Sequence, residues 1–414
     1  MAVFKPFKAL RPATEYASKV AALPYDVMNS EEAREMVKDN PYSFLHIDKA
    51  EIDLPKDTYL YSDEVYAKAK DNLIKYEADG ILIEDNAPCF YVYRQIMNGR
   101  AQTGLVGCAC VDDYINNNIK KHELTRADKE ADRIRHVDTC DANTGPIFLC
   151  YKGSDEVNNI IAKYVAGEPV YDFVTDDGIG NTVWVISDTE DCKIISELLD
   201  NAGDFYIADG HHRCASAVNV AKMRRENNPN YNGNEEFNFF LAVLFPADTL
   251  EIMDYNRVVK DLNGNSKDEF IAKLYDSFIV EEASSDGTYH PEKKHNFGMY
   301  MDNKWYKLTA KEGTFEPNDP VDQLDVSILQ KNLLTPILGI GDPRTDKRID
   351  FIGGIRGLGE LERLVNGGMA VAFSMYPTTL DDLMAIADAN LIMPPKSTWF
   401  EPKLLSGLFI HKLK

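Results

Sequence analysis

The densest concentration of reactive side chains in the sequence is Asp209-Gly210-His211-His212-Arg213. It lies between an apolar run with strand character, Phe205 to Ala208, and a stretch with helical character, Cys214 to Glu226, so it reads as a strand-to-helix turn. Glycine in such a turn lets a ligand approach the backbone, and the start of the helix offers unpaired N–H groups at the positive end of its dipole. Arg213 adds a planar fork suited to phosphate, while His211 and His212 add donors or a proton carrier. Gly210, His211, His212 and Arg213 therefore form a candidate phosphate or nucleotide cradle, with Asp209 and His212 as candidate catalytic groups. The competing reading is a tight turn that only caps a helix, a task that rarely needs His-His-Arg.

A second group, Lys120-Lys121-His122-Glu123-Leu124-Thr125-Arg126, continues into Lys129, Asp132 and Arg133. A zinc-protease helix is excluded, because Arg126 stands where its second histidine would be. Glu123, beside His122 and flanked by cations, is a candidate general base, and either Glu123 or Asp209 is a candidate magnesium ligand. His122, Arg126 and Arg133 are secondary candidates. A solvated, salt-bridged helix accounts for the same charges equally well. The third group is Lys396-Ser397-Thr398 with Glu401 and Lys403, on a segment stiffened by Pro394-Pro395 and anchored by Trp399 and Phe400. It is expected either to fold back over the site, bringing Lys396, Ser397 and Thr398 to phosphate, or to serve as a packed strap. Arg11 and Asp26 are further secondary candidates near the start. The glycine-rich run Gly353 to Gly359 lacks the Lys-Ser/Thr ending of a phosphate-binding loop and reads as a turn.

Composition limits what these groups can serve. The chain has 414 residues, 44% of them hydrophobic and 27% charged, which is globular and long enough for two or three domains. A net charge of −22 argues against a nucleic-acid partner, so an anion site must be a local basic exception. No apolar run approaches the length of a membrane span, and Met1 to Leu10 lacks the features of a signal peptide. The seven cysteines are scattered, several inside apolar runs, and Cys108-x-Cys110 has no second pair to make a zinc site. These features predict a cytoplasmic protein acting on a small molecule.

The elements that must position the site can be read from periodicity and capping. Asn29 to Glu32 carries a capping-box pattern, and a helix is expected from Ser62 to Gly80 with Val65, Ala69, Leu73 and Tyr76 on one face. Cys89 to Met97 and Ala101 to Val111 form a hairpin through Asn98-Gly99. Helical character is predicted for much of His122 to Arg135. Strands follow at Pro146 to Tyr151, Thr182 to Ile186, Asp204 to Ala208 and Phe237 to Phe245, with helices at Asp155 to Ala166 and from Asp188. The Asn263-Gly264-Asn265 turn, ahead of the Ser266-x-x-Glu269 capping box, marks the expected boundary between residues 1–262 and a C-terminal α/β region, 263–414. Beyond it lie a hairpin from Phe297 to Leu308, a helix from Val321, strands near Ile349 and Met369, and a helix from Leu380. The mixture predicts an α+β architecture.

Leu-Arg-Pro12, Leu-Pro-Tyr-Asp26, His-Glu-x-Thr125, Asp-Gly-His-His-Arg213 and the Met393 to Lys403 segment together resemble the domain-of-unknown-function family numbered 1015. The resemblance spans nearly the whole chain. More remotely, it is similar to the ParB/sulfiredoxin superfamily, whose members bind nucleotides at a Gly-x-x-Arg turn opening a helix; Gly210 and Arg213 match that turn. This implies a ParB/sulfiredoxin-like mixed α/β core in residues 1–262. Sulfiredoxins carry a cysteine where this chain has His211, which removes sulfinate repair, and the acidic charge disfavours a ParB-like DNA role. The free-serine kinase branch implies ATP or ADP with magnesium, and phosphoryl transfer to a small hydroxylated metabolite such as serine. Two alternatives are a phosphatase acting on a metabolite such as phosphoserine, and a nucleotide-gated binding protein without turnover.

Overall fold

The structure, a computed structural model, describes residues 2–283 and 287–414. Two compact units emerge, Met1–Leu250 with Pro402–Lys414, and Glu251–Glu401. The division differs from the expected boundary at Asn263. That turn, with Asn263 and Gly264 both at positive φ, only joins the strand Tyr255–Val259 to the helix Lys267–Leu274 within the second unit. The final residues return to the first unit because Ile410–Lys412 pairs as a strand between Ala9–Pro12 and Ala142–Asn143.

The first unit is built on a nine-stranded sheet. Along its main path the order is Ile119–Lys120, Phe205–Asp209, Ile147–Tyr151, Phe239–Pro246, Arg100–Cys110, Phe90–Met97, Gly180–Ile186 and Tyr171–Val174, with Phe4–Lys5 added against Arg100–Cys110. Most pairings are antiparallel. Phe239–Pro246 runs parallel to Ile147–Tyr151, and Phe205–Asp209 parallel to Ile119–Lys120. The hairpin forms through Asn98 and Gly99, at φ 52° and 80°, as a two-residue turn requires. Phe4, Phe90, Phe205, Phe240 and Leu244 pack on one core with the apolar side of the helix His211–Asn227. A second core, around Phe44, Leu45, Ile47, Leu73 and Tyr76, lies against a four-stranded sheet of Leu82–Glu84, Ala9–Pro12, Ile410–Lys412 and Ala142–Asn143.

Local signals place the helices of this unit. Asn29 caps Ser30–Met36 with the full reciprocal box to Glu32, and Asp63–Ala78 buries Val65, Ala69, Leu73 and Tyr76 as its periodicity requires. The stretch expected to be helical for much of His122 to Arg135 is so over its later part. Ile119–Lys120 is pinned as a strand, His122 to Thr125 cross as irregular chain, and the helix Ala127–Cys140 begins only after its N-cap, Arg126.

The second unit is a six-stranded antiparallel sheet in the order Phe278–Glu282, Lys304–Ala310, Asn296–Met301, Val371–Met375, Tyr255–Val259 and Ile349–Gly353. Helix Lys267–Leu274 carries the expected capping box, Ser266 with Glu269. Among the described residues no helix is long and apolar enough to cross a membrane.

Candidate active site

The Asp209–Arg213 run sits where a strand is bent out of its sheet. Tyr206 and Ile207 pair with Cys150 and Leu149, but Asp209 pairs with Phe148, so Ala208 is the extra residue of a bulge. A bulge re-aims the side chain that follows it. Gly210 then takes φ 89° as the N-cap of His211–Asn227 and supplies no capping side chain. A Cβ there would meet Ile147 Cα only at 3.6 Å, so the dihedral, not crowding, asks for glycine. The Gly210 carbonyl accepts from Cys214 N–H at 3.0 Å. The N–H groups of His211, His212 and Arg213 thus have no acceptor behind them in the helix, and a 17-residue helix dipole stands behind the turn.

Around this turn stand most of the groups singled out from sequence. Asp209 Oδ1 accepts from Gly210 N–H at 2.8 Å, and Oδ2 accepts from Lys403 Nζ at 2.8 Å. Burial opposes its charge, but the Lys403 ammonium and the Gly210 N–H outweigh burial and hold its carboxyl down at about 2. His211, buried, meets the ring of His122 edge to face at 4.5 Å between centroids. Its Nδ1 lies 3.8 Å from Glu123 Oε2 on a half-exposed side chain, and its Nε2 is buried without a hydrogen-bond partner. Burial pushes His211 well below the ordinary histidine range, reinforced by His122. Burial likewise brings His122 to about 4 against the pull of Asp209. His212 is lowered by burial too, and its Nε2 accepts from the Arg126 backbone N–H at 3.0 Å, which places its own proton on Nδ1. The three rings are therefore neutral at pH 7 and offer N–H donors and lone pairs rather than positive charge.

Arg213 does not extend toward a ligand. Its Nη2 donates to Ser406 Oγ at 3.3 Å and lies 3.6 Å from buried Asp48 Oδ2. Its guanidinium also occupies the place where residue 145 would have a side chain, since a Cβ on Gly145 would fall 1.6 Å from Nη1. Tyr25 meets two cations over its ring, with Arg133 4.0 Å and Arg213 5.3 Å from its ring centroid. Asp48 also accepts from Thr144 Oγ1 at 2.7 Å. Burial raises its carboxyl, and Arg213, His136 and Arg133 more than reverse that, leaving it below the usual range. A cavity of about 20 Å³, room for one water, lies among Asp48, Arg133, His136, Thr144 and Arg213. Arg213 thus gives the cradle its backbone N–H, while its charge braces the helix start from behind.

His122, Glu123, Asp209, Gly210, His211, His212 and Lys403 are brought together, and Asp26 is near enough to pull the His212 pKa upward. Arg126 joins through its backbone only, its guanidinium turning to Asp128. Arg133 binds Asp132 and Tyr25 in the bracing layer. Arg11 is elsewhere, in a bidentate pair with Asp85 and bonded to Tyr171 Oη. Lys396, Ser397 and Thr398 belong to the second unit. There the Lys396 carbonyl accepts from Arg257, Ser397 Oγ donates to Pro394 O, and Trp399 packs on Tyr255 and over Gly353. Asp48, Thr144, Gly145 and Ser406 were missed from sequence; only Asp48, an acid within the apolar run from Phe44, carried any signal.

The family described as "Protein of unknown function (DUF1015)" matches residues 4–327. Among solved structures, the chain is similar to a free serine kinase in complex with AMP, at 14% identity over 72% of this chain and 86% of that one, with a TM-score of 0.35. A conserved hypothetical protein from Pyrococcus furiosus shares 13% identity over 74% and 94% of the two chains, TM-score 0.35. SbnI with C-terminal truncation from Staphylococcus aureus shares 9% over 73% and 85%, TM-score 0.37. No curated protein matches the chain.

Proposed function

The chain belongs to the DUF1015 family, and on that premise we propose that it transfers a phosphoryl group from a nucleotide to the hydroxyl of a small metabolite. One observation carries the reading: an uncapped helix start behind a positive-φ glycine has Glu123 beside it, 3.8 Å from His211. The N–H groups of His211, His212 and Arg213 bind the phosphate oxygens, and the neutral imidazoles add donors without a fixed charge. Glu123 accepts the acceptor's hydroxyl proton as its oxygen bonds to phosphorus and the bond to the nucleotide's leaving phosphate breaks. Products are a phosphomonoester and a nucleotide one phosphate shorter. Phosphoryl transfer asks mainly for positioning and charge stabilisation, which this set supplies.

A hydroxylated amino acid such as serine is the acceptor we favour, with ATP or ADP as donor, and we read the bulged strand and Gly210 helix as the ParB/sulfiredoxin-like nucleotide turn. Among the described residues no three His, Cys, Asp or Glu side chains are grouped to hold a metal. Asp209 has both oxygens engaged, by Gly210 and Lys403. A magnesium ion would therefore come with the nucleotide phosphates, with Asp209 or Glu123 as its protein carboxylate. The cysteines are all free thiols, which suits a reducing, cytoplasmic setting.

Glu123→Gln tests the assignment. It keeps size and reach but removes the base, so turnover should fall by about 10²–10⁴-fold. Nucleotide affinity, measured by calorimetric titration, should remain near wild type, because the cradle is untouched. Equal turnover in variant and wild type would return Glu123 to an ordinary surface carboxylate.

A further inference from the structure

Lys403 reaches Asp209 from a backbone that is anchored with unusual care. Gln95 Nε2 donates to the Lys403 carbonyl at 3.0 Å, and Gln102 Nε2 to the Pro402 carbonyl at 3.4 Å. The two amides are themselves linked, Gln102 Nε2 to Gln95 Oε1 at 3.0 Å. Gln95 also meets Asn181 Oδ1 at 3.3 Å, which accepts from Tyr93 Oη at 2.6 Å. Gln95, Gln102, Asn181 and Tyr93 are at most 2% exposed. Burying amides is costly unless each finds partners, and apolar residues would fill these sheet positions without that cost. The network ends on the carbonyls of Pro402 and Lys403, so it fixes where that lysine starts.

The side chain it fixes is also poised. Lys403 is 14% exposed and Asp209 44% exposed, so the pair is reachable from solvent although it sits in a recess crowded enough to oppose the Asp209 charge. The other Asp209 oxygen accepts from Gly210 N–H, at the edge of the cradle. A phosphate seated on the first helical turn would bring its own negative oxygens to the same ammonium. Other cations near the turn are directed elsewhere: Arg213 is turned inward to Asp48 and Ser406, Arg126 pairs with Asp128, and Lys121, near enough to depress His211, lies over the Tyr114 ring, while the histidines are neutral.

We propose that Lys403 is a catalytic residue of the phosphoryl transfer, its ammonium shared between Asp209 and the migrating phosphoryl group, with Gln95 and Gln102 as positioning residues. This rests on the phosphoryl-transfer reading above. In the step, the acceptor oxygen–phosphorus bond forms, the phosphorus–oxygen bond to the leaving nucleotide breaks, and the hydroxyl proton goes to Glu123. Lys403 keeps its proton throughout and forms no covalent bond; it neutralises charge that grows on the equatorial and leaving oxygens.

The experiment uses the full chain with ATP and ADP as nucleotides and serine as acceptor. Lys403→Met should lower kcat by about 10²–10³-fold, with KM and the calorimetric Kd for nucleotide changed by less than about threefold. Lys403→Arg should keep kcat within about tenfold of wild type. Added ethylammonium should restore part of the rate to Lys403→Ala in a saturable way, a response that a purely structural lysine does not give. Gln102→Leu strands the Gln95 amide oxygen and the Pro402 carbonyl and so should lower the melting temperature; assayed well below that temperature it should still lower kcat without moving nucleotide Kd. Wild-type turnover in Lys403→Met overturns the inference alone. So does a rate loss matched by lost binding or a lowered melting temperature in Lys403→Met and Lys403→Arg alike. A wild-type protein that neither binds nucleotide nor turns over overturns the phosphoryl-transfer reading and this inference with it.

Discussion

Gly145→Ala is a single methyl group placed where the structure has no room for it. The Cβ would fall 1.6 Å from Arg213 Nη1, 2.6 Å from Cζ and 2.9 Å from Ser406 Oγ. Gly145 is not at positive φ, so the alanine backbone itself is tolerated and the cost falls on the guanidinium. Arg213 must shift its guanidinium away, and Asp48, 3% exposed, then keeps the Thr144 hydroxyl and the charge of Arg133. Removing one partner of a buried ion pair costs about 3–5 kcal/mol. Because Arg133 still faces Asp48, the lower end applies, about 3 kcal/mol, or a drop of about 6–12 °C in the melting temperature of a unit this size. Hydrogen exchange with urea unfolding, read on peptides of the first unit, measures it without interference from the second. Combining Gly145→Ala with Asp48→Asn should recover more than about 1 kcal/mol of the loss, since the stranded charge is gone. A Gly145→Ala protein within about 0.5 kcal/mol of wild type, or strictly additive effects in the double variant, refutes the bracing role of Arg213.

Further outcomes can be checked in parallel. Gly210→Val should cost about 1–2 kcal/mol from the left-handed backbone and should weaken titration of ATP or ADP, and unchanged affinity would remove the turn from the binding site. His122 and His136, each near 4 when folded because burial disfavours their charge, bind protons more readily in the unfolded chain. Stability of the first unit should therefore fall as pH drops from the ordinary histidine range toward 4, by about 2 kcal/mol per ring at pH 5; flat urea midpoints between pH 7 and 5 contradict this. Truncation after Glu401 removes the strand Ile410–Lys412 and the Lys403 anchor, so circular dichroism should report loss of the first unit's cooperative unfolding. Native-like unfolding of that truncated chain would make the segment dispensable.

What could be read from sequence was mostly what is local. The Asn98-Gly99 hairpin and the capping boxes at Asn29 and Ser266 depend on neighbours within a few positions, and they fall where their residue types say. The strand-turn-helix context of Asp209–Arg213 was legible for the same reason. Direction was not. Arg213 points inward because Gly145 clears space for it, and a lone glycine gives no such notice. Asp48 finds Thr144 at a separation of 96 residues, which no local pattern encodes. The helix expected for much of His122 to Arg135 is present from Ala127, but its start was not legible, because His122 to Thr125 must first cross from the Lys120–Tyr206 strand pairing, a long-range contact. The Lys396 to Lys403 segment reads as a single strap, yet Lys396 to Glu401 serve one unit and Pro402 onward the other.

The strand Ile410–Lys412 also sets an order of events during synthesis. Ala9–Pro12 and Ala142–Asn143 flank it, so the four-stranded sheet of the first unit cannot close until residue 412 has left the ribosome. The intervening Glu251–Glu401 is contiguous in sequence and has all six strands of its own sheet before that point. On a translating ribosome the later-encoded unit should become protease-resistant first, and the earlier-encoded one should wait with its edge at Ala9–Pro12 unsealed, exposed to chaperones or to a second nascent chain. Stalled nascent chains carrying residues up to 401 and up to 414, each followed by an unstructured spacer long enough to clear the exit tunnel and compared by pulse proteolysis, would separate the two stages.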